Sequence, residues 1–328
     1  MNAYATNARR LTIWFTLIST FVVLTLLPFS KVSFAYHDLG HLSYLFASFF
    51  ALSVYCWKRK MFRLASSLEA LAIGVFMTVP ILISTYLAAS LDMPLMDAPL
   101  MRADAALGLH WVAFIQFVDA HPAFAEILAK AYSSLGIQLL MLPLILGATG
   151  RHARTYVMIL SYGVLCYVSS FISIWFPALG TYSVYGIMQE QLHDINAYYG
   201  FAFLHDFNAV REQAEFTLSA ANASGIVTFP SVHAACALLC AWAAWDLKPV
   251  RYPLIAWNIL MGISAISHAN HYLVDVIAGV AIGSVSIYLV SEVLHRMQQA
   301  QWTVLPPSAV WALVTCEKQS ESRPSTLP

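Results

Sequence analysis

Charge is what this sequence has least of. Lys and Arg number 17 and Asp and Glu 17 among 328 residues, together 10%, where a soluble domain carries about 25%. With 59% of its residues apolar and a mean hydropathy of +0.67, the chain reads as an integral membrane protein. It has no basic block and a formal net charge of zero, so electrostatics point to neither nucleic acid nor an acidic partner. Cysteine is also scarce. Of the five, Cys56, Cys166, Cys236 and Cys240 lie in or beside apolar runs, where they act as small hydrophobes, and a disulfide framework is excluded. No internal repeat is evident.

What is present is a series of apolar runs punctuated by small basic clusters. Arg9 and Arg10 precede the run 11–29, which at about 20 residues can cross a bilayer. The rival reading, a signal peptide cut after Ser33-Phe34-Ala35, conflicts with the usual apolar region of about 7–15 residues. The run 42–57 ends in Lys58-Arg59-Lys60 and Arg63, and 64–89 follows with Pro80 as an internal kink. The segment 90–123 is mixed and reads as external, with one amphipathic helix on the membrane surface whose solvated side carries Asp97, Arg102 and Asp104. The runs 124–148, 156–176, 232–245, 252–267 and 271–295 complete the series, separated by Arg151 to Arg154, a polar stretch 181–228, and Lys248 with Arg251, and closed by His295-Arg296.

The expectation is an all-α polytopic bundle of about eight transmembrane helices. Two additional helices would occupy 1–63, a six-helix core 64–297 and a cytoplasmic tail 298–328. Every basic cluster then falls on one side, as the positive-inside rule requires. In a bacterium this would be the cytoplasmic membrane. The opposite, external face receives two short stretches, Phe229-Pro230-Ser231-Val232-His233 and His268-Ala269-Asn270-His271-Tyr272-Leu273-Val274-Asp275.

Histidine and aspartate at the mouths of apolar helices mark a functional site, because such groups are costly in hydrocarbon. On a helix, His271 and Asp275 share one face a turn apart. A carboxylate holding Nδ1 fixes the tautomer and leaves Nε2 as nucleophile, base or ligand. His233 supplies a second proton carrier. Ser231 reads equally as a helix cap or a phosphate contact. His268 reads as structural, and Glu126, Lys130 and Tyr132 as a packed polar seam.

The pattern Phe-Pro-Ser-x-His, followed by Ser264-x6-His271-Tyr272-x2-Asp275 and Gly279, resembles the second and third motifs of the type 2 phosphatidic acid phosphatase superfamily. Phe176-Pro177-Ala178-Leu179-Gly180 and the wording from Val227 to Ala234 are similar to its inositol phosphorylceramide synthase branch and bacterial relatives. The resemblance implies a lipid phosphate substrate among membrane lipids, no cofactor, a phosphohistidine formed at His271, Asp275 as its orienting partner and His233 as general acid. It also implies cations that this chain lacks. Where the family has Lys-x6-Arg-Pro there are Ser169 and Phe176 before Pro177, and the arginine of the third motif is replaced by Ala265. A phosphoryl transition state needs oriented donors or cations, so Arg211 is the expected substitute, Arg102 the weaker candidate, and backbone amides opening the sixth span the remaining one.

The expected activity is that of a lipid phosphate phosphatase with its site on the external face. One alternative is a phosphotransferase that passes a phospho-headgroup to an alcohol such as inositol. A second is a metal-dependent hydrolase using His233, His268, His271 and Asp275, and a third a transporter or scaffold without enzymatic activity.

Overall fold

The computed structural model describes residues 2–220 and 223–304. Its α-helices are α1 (Ala3–Leu26), α2 (Gly40–Lys58), α3 (Phe62–Ala89), α4 (Asp97–Ala106), α5 (Trp111–Asp119), α6 (Pro122–Ser133), α7 (Leu135–Ala148), α8 (His152–Ser173), α9 (Thr181–Tyr185), α10 (Tyr198–Glu212), α11 (Val232–Ala244), α12 (Arg251–His268) and α13 (Leu273–Val304). Two three-residue strands, β1 (Val32–Phe34) and β2 (Phe216–Leu218), pair in parallel. The architecture is an all-α helical bundle with this one small sheet.

Among the described residues five helices are long and apolar enough to cross a membrane, or six if the bent pair α5 and α6, 106° apart, counts as one. By length and apolarity this count is lower than the expected eight, with α7 and α11 as shorter apolar helices beside these spans. The reason is local. The expected span 124–148 is broken at Ser134 into α6 and α7, and the run opening at Val232 gives α11 only 13 residues. The last helix runs on to Val304 rather than stopping near Arg296. The expected tail beyond 304 lies outside the described residues.

The bundle is packed from mostly apolar faces. Ala8, Ala70, Met77, Leu142, Tyr156, Leu165, Cys236 and Leu239 form one buried cluster drawing on α1, α3, α7, α8 and α11. α1 packs against α3, α8 and α13, whereas α2 packs chiefly on α3 and buries only Ser53 and Cys56. Its remaining surface, like the exposed Trp14 and Phe21 of α1, is the kind that faces lipid tails. α11 and α13 approach closely because Gly279 and Gly283 have no side chain. A Cβ at Gly279 would collide with the carbonyl oxygen of Ser231, and one at Gly283 with that of Ala235.

The basic clusters collect at one end of the bundle. Arg151 Nη2 donates to the Asp246 carbonyl at 2.9 Å and Arg154 Nη1 to the Asp246 carboxylate at 2.9 Å. Arg63 lies alongside Gly150, and Tyr4 of α1 packs on His295 of α13, ring centroids 5.4 Å apart. At this end Arg9 pairs with Glu69 at 2.7 Å, and the Tyr156 hydroxyl donates to the same carboxylate at 3.2 Å. The opposite end carries the β1–β2 pair, over a second apolar cluster that includes Val23, Phe34, Tyr86, Phe207 and Leu218.

Candidate active site

The two histidine stretches meet at this second end. Ser231 N–H donates to the Asp275 carbonyl at 3.0 Å, which stitches the start of α11 to the first turn of α13. Ser231 is fully buried and its hydroxyl accepts from Ala234 N–H at 3.3 Å. It is the N-cap of α11, which satisfies one of the helix's unpaired amides. Of its two expected roles, capping is the one the geometry displays.

His271 and Asp275 come together as expected, but His271 lies in the turn before α13 and only Asp275 is on the helix. His271 Nδ1 lies 3.3 Å from Asp275 Oδ2, and the same oxygen accepts from Tyr272 N–H at 2.9 Å. Asp275 is fully buried and His271 nearly so. With Nδ1 turned to the carboxylate, Nε2 is the ring nitrogen left for a substrate. On the facing side, His233 stacks on Tyr132 with ring centroids 4.1 Å apart, and its Nδ1 lies 3.3 Å from the Tyr132 hydroxyl. If that hydroxyl donates, Nδ1 is the acceptor and the proton resides on Nε2.

His233 and His271 line a common cavity of about 1100 Å³. Its apolar flank is formed by Thr78, Ile81, Leu82 and Thr85 of α3, with Leu135 and Gly136 of α7 opposite. These α3 positions recur at helical spacing on one face. The two helices touch at the basic end, where a Cβ on Gly147 would strike Ser67, whereas a Cβ on Gly136, toward the histidines, would meet nothing within 4 Å. Tyr198 and Tyr199 stand at the rim, 63% and 51% exposed.

Several residues that sequence reasoning passed over build this site. Asp97 and Asp104, expected on the solvated side of a surface helix, are buried. Asp97 accepts from Leu179 N–H, Gly180 N–H and the Tyr272 hydroxyl at 3.0, 2.8 and 2.9 Å. Asp104 accepts from Leu273 and Val274 N–H at 2.8 and 2.9 Å, capping α13 from a helix far away in sequence. Burial pushes the Asp104 carboxyl above its usual range, and those two donors oppose the shift. The i, i+7 spacing of the two aspartates, with buried Leu100 between them, is the signal that α4 presents one face inward.

Asn270 is a second such residue. It is buried with φ +69°, a left-handed conformation that asparagine tolerates better than most. Its side chain donates to the Leu179 and Gly200 carbonyls at 2.7 and 3.1 Å and accepts from Tyr182 N–H at 2.6 Å. The turn leading into His271 is thereby fixed to the corner after α8.

Arg211 and Arg102 are not among the residues lining the cavity. Arg211 Nη2 pairs with Asp92 at 2.8 Å and donates to the Met93 carbonyl at 3.0 Å, while its own carbonyl accepts from Lys31 Nζ at 2.7 Å. It braces the end of α10 against the segment after α3, and Arg102 is exposed on α4. The alternative zinc set does not assemble either: among the described residues no three His, Cys, Asp or Glu side chains group closely enough to hold a metal ion. His268 is buried, with Nδ1 2.9 Å from the Ser267 hydroxyl.

Neither a curated protein nor a solved structure matches the chain significantly. A family profile does. It aligns over residues 98–289, from α4 through the middle of α13, and so takes in Asp104 of α4, both histidine stretches and the Asn270 turn. The match is at the level of the superfamily and does not single out the inositol phosphorylceramide synthase branch. On this match, covering more than half of its length, the chain belongs to the PAP2 superfamily.

Proposed function

We propose that the protein is a membrane-embedded enzyme that takes a phosphoryl group from a lipid phosphate onto His271 and passes it to water, as a phosphatase, or to an alcohol, as a phosphotransferase. Superfamily membership supports phosphatase or phosphotransferase chemistry on lipid phosphates. The observation that carries the residue assignment is the pairing of His271 Nδ1 with the buried Asp275 carboxylate, in a cavity that also holds His233 and an apolar flank.

In this reading Nε2 of His271 attacks phosphorus, and Asp275 holds the ring in the tautomer that leaves Nε2 unprotonated. His233, carrying its proton on Nε2 opposite Tyr132, protonates the departing lipid alkoxide and then takes a proton from the incoming water or alcohol. The apolar flank formed by α3 and α7 suits an acyl chain that stays in the bilayer while the phosphate reaches the histidines. The basic clusters at the other end support an external site by the positive-inside rule.

The test is to quench turnover of a lipid labelled at phosphorus and look for acid-labile, base-stable label on the protein. His271→Ala should show neither label nor turnover, and Asp275→Asn should slow formation of the adduct by about 10³–10⁴-fold, as loss of an orienting carboxylate does elsewhere. Full turnover by His271→Ala would remove His271 from the mechanism.

A further inference from the structure

The turn from α11 to α12, at the basic end of the bundle, has cations that the chain itself does not balance. Between Trp242 and Leu254 the one carboxylate is Asp246, and it is already engaged by Arg154 Nη1 at 2.9 Å while Arg151 donates to its carbonyl. Lys248 is exposed two residues further on and has no acidic partner among the described residues. Arg251 opens α12. Its guanidinium carbon lies 5.4 Å from the ring centroid of Trp245 and 4.5 Å from that of Tyr252. Nη2 donates to the Tyr252 hydroxyl at 2.8 Å, and Nε is buried with no hydrogen-bond partner. Two rings and a hydroxyl hold this guanidinium in place, and none of them cancels its charge.

The start of a helix carries a partial positive charge and ordinarily draws an anionic side chain. The first turn of α12 has no acidic residue and no side-chain cap, and Arg251 adds a cation to it. With Lys248 close by in the same turn, the balancing anion has to come from outside the chain. The surroundings say which kind. Trp245 and Tyr252 are both more than half exposed, and such rings at the end of a membrane bundle mark the level of the lipid headgroups. From Tyr252 the exposed positions continue at Ala256 and Ile259, an i, i+4, i+7 stripe along one face of α12. That stripe gives an acyl chain an apolar track leading away from the cations.

From this arrangement we infer that the α11–α12 turn binds the headgroup of an anionic phospholipid in the leaflet at the basic end. Arg251 grips the phosphate with two parallel hydrogen bonds, Lys248 adds a second cation, and one acyl chain lies along Tyr252, Ala256 and Ile259. The site is at the opposite end of the bundle from the histidines and stands independently of the chemistry proposed there.

The test uses the full-length protein in bilayers of phosphatidylcholine with phosphatidylglycerol of the same acyl chains as the minor component. Tryptophan fluorescence is read with one lipid or the other carrying brominated chains, which quench on contact. The chain has nine tryptophans, so the signal of Trp245 is the difference between each protein and its Trp245→Phe partner, which keeps a ring over Arg251. The expected preference of the Trp245 site for phosphatidylglycerol is about tenfold or more, because each cation at an anionic surface is worth about fivefold. Lys248→Gln, a change to an exposed side chain, should remove about fivefold of it, and Lys248→Gln with Arg251→Gln should abolish it. Arg251→Lys should keep part, since the charge stays while the two-pronged grip is lost. Lys58→Gln with Lys60→Gln, in the other basic cluster, should change the preference by less than about twofold at physiological salt, where exposed charges more than about 8 Å apart are screened. Quenching of Trp245 in proportion to bilayer composition would overturn the proposal. A loss in the Lys58 and Lys60 variant equal to that in the Lys248 and Arg251 variant would replace the site by a diffuse field. Displacement of phosphatidylglycerol by inorganic phosphate at constant ionic strength would overturn the lipid assignment in favour of a soluble phosphate.

Discussion

The hydroxyl of Tyr272 donates to Asp97 Oδ1 across 2.9 Å, so the residue beside His271 is tied directly to the first turn of α4. The same carboxylate holds Leu179 and Gly180, making it a hub between three segments. Tyr272→Phe removes one bond and leaves the hub, and should lower stability by about 1 kcal/mol. Asp97→Ala leaves three buried donors without an acceptor at about 1–3 kcal/mol each. It should lower the thermal inactivation midpoint far more and reduce activity with it. Equal effects of the two variants would show that the hub is not the anchor of the site.

The role given to His233 depends on the leaving group. His233→Ala should cost about 10²–10⁴ in kcat on a lipid alcohol, which needs protonation. It should cost little on a nitrophenyl ester, whose alkoxide leaves unaided. The same loss on both substrates would assign His233 to binding rather than proton transfer.

Arg211 marks the limit of what sequence could say about this site. Its position in the polar stretch shortly before Phe229, expected to be an external loop, and the missing motif cations made it the expected phosphate ligand. Its actual partners, Asp92 and the Met93 carbonyl, lie more than a hundred residues away in sequence. Arg211→Ala should therefore lower thermal stability while changing kcat/KM on lipid less than threefold. A hundredfold fall in kcat/KM with unchanged stability would return Arg211 to the phosphate.

Gly136 tests the apolar flank. It is exposed on α7, lines the cavity and has open space at its Cβ position. Gly136→Phe should fill the gap between α7 and Ile81 of α3. The expected outcome is a rise in KM of tenfold or more for a long-chain lipid and no change for a short-chain, water-soluble analogue. A uniform loss on both would mean that the substitution disturbs the histidines instead.

Sidedness follows from the basic end of the bundle. Cysteines placed at Gln191 and Gln213 should react with an impermeant reagent from outside, whereas one at Ala153 should not. Labelling of all three from one side would contradict the orientation.

What was legible in the sequence obeys local rules. Apolar run length gave the helical membrane class, and the i, i+4 spacing gave the His271–Asp275 pair that the structure shows at 3.3 Å. What was not legible depends on partners remote in the chain. Asp97, Asp104 and Asp206 look like solvated charges until the backbone amides and the tyrosine hydroxyl they serve are brought to them by the fold. The expected span over 124–148 shows the same limit. Hydropathy records that 124–148 is apolar but not that the chain breaks at Ser134.

The parallel pairing of β1 with β2 has a consequence for the order in which the protein is made. Ser33 and Thr217 face each other 184 positions apart in the chain. During synthesis β1 emerges early, right after the first helix, and its edge stays unpaired until most of the bundle has been inserted. Phe216–Leu218 arrives only shortly before Phe229, so closure of the strand pair and assembly of the histidine end belong to one late event. A chain that begins after β1 should accordingly insert its remaining helices yet leave β2 without its neighbour, at the point where the segment leading to Ser231 must be held.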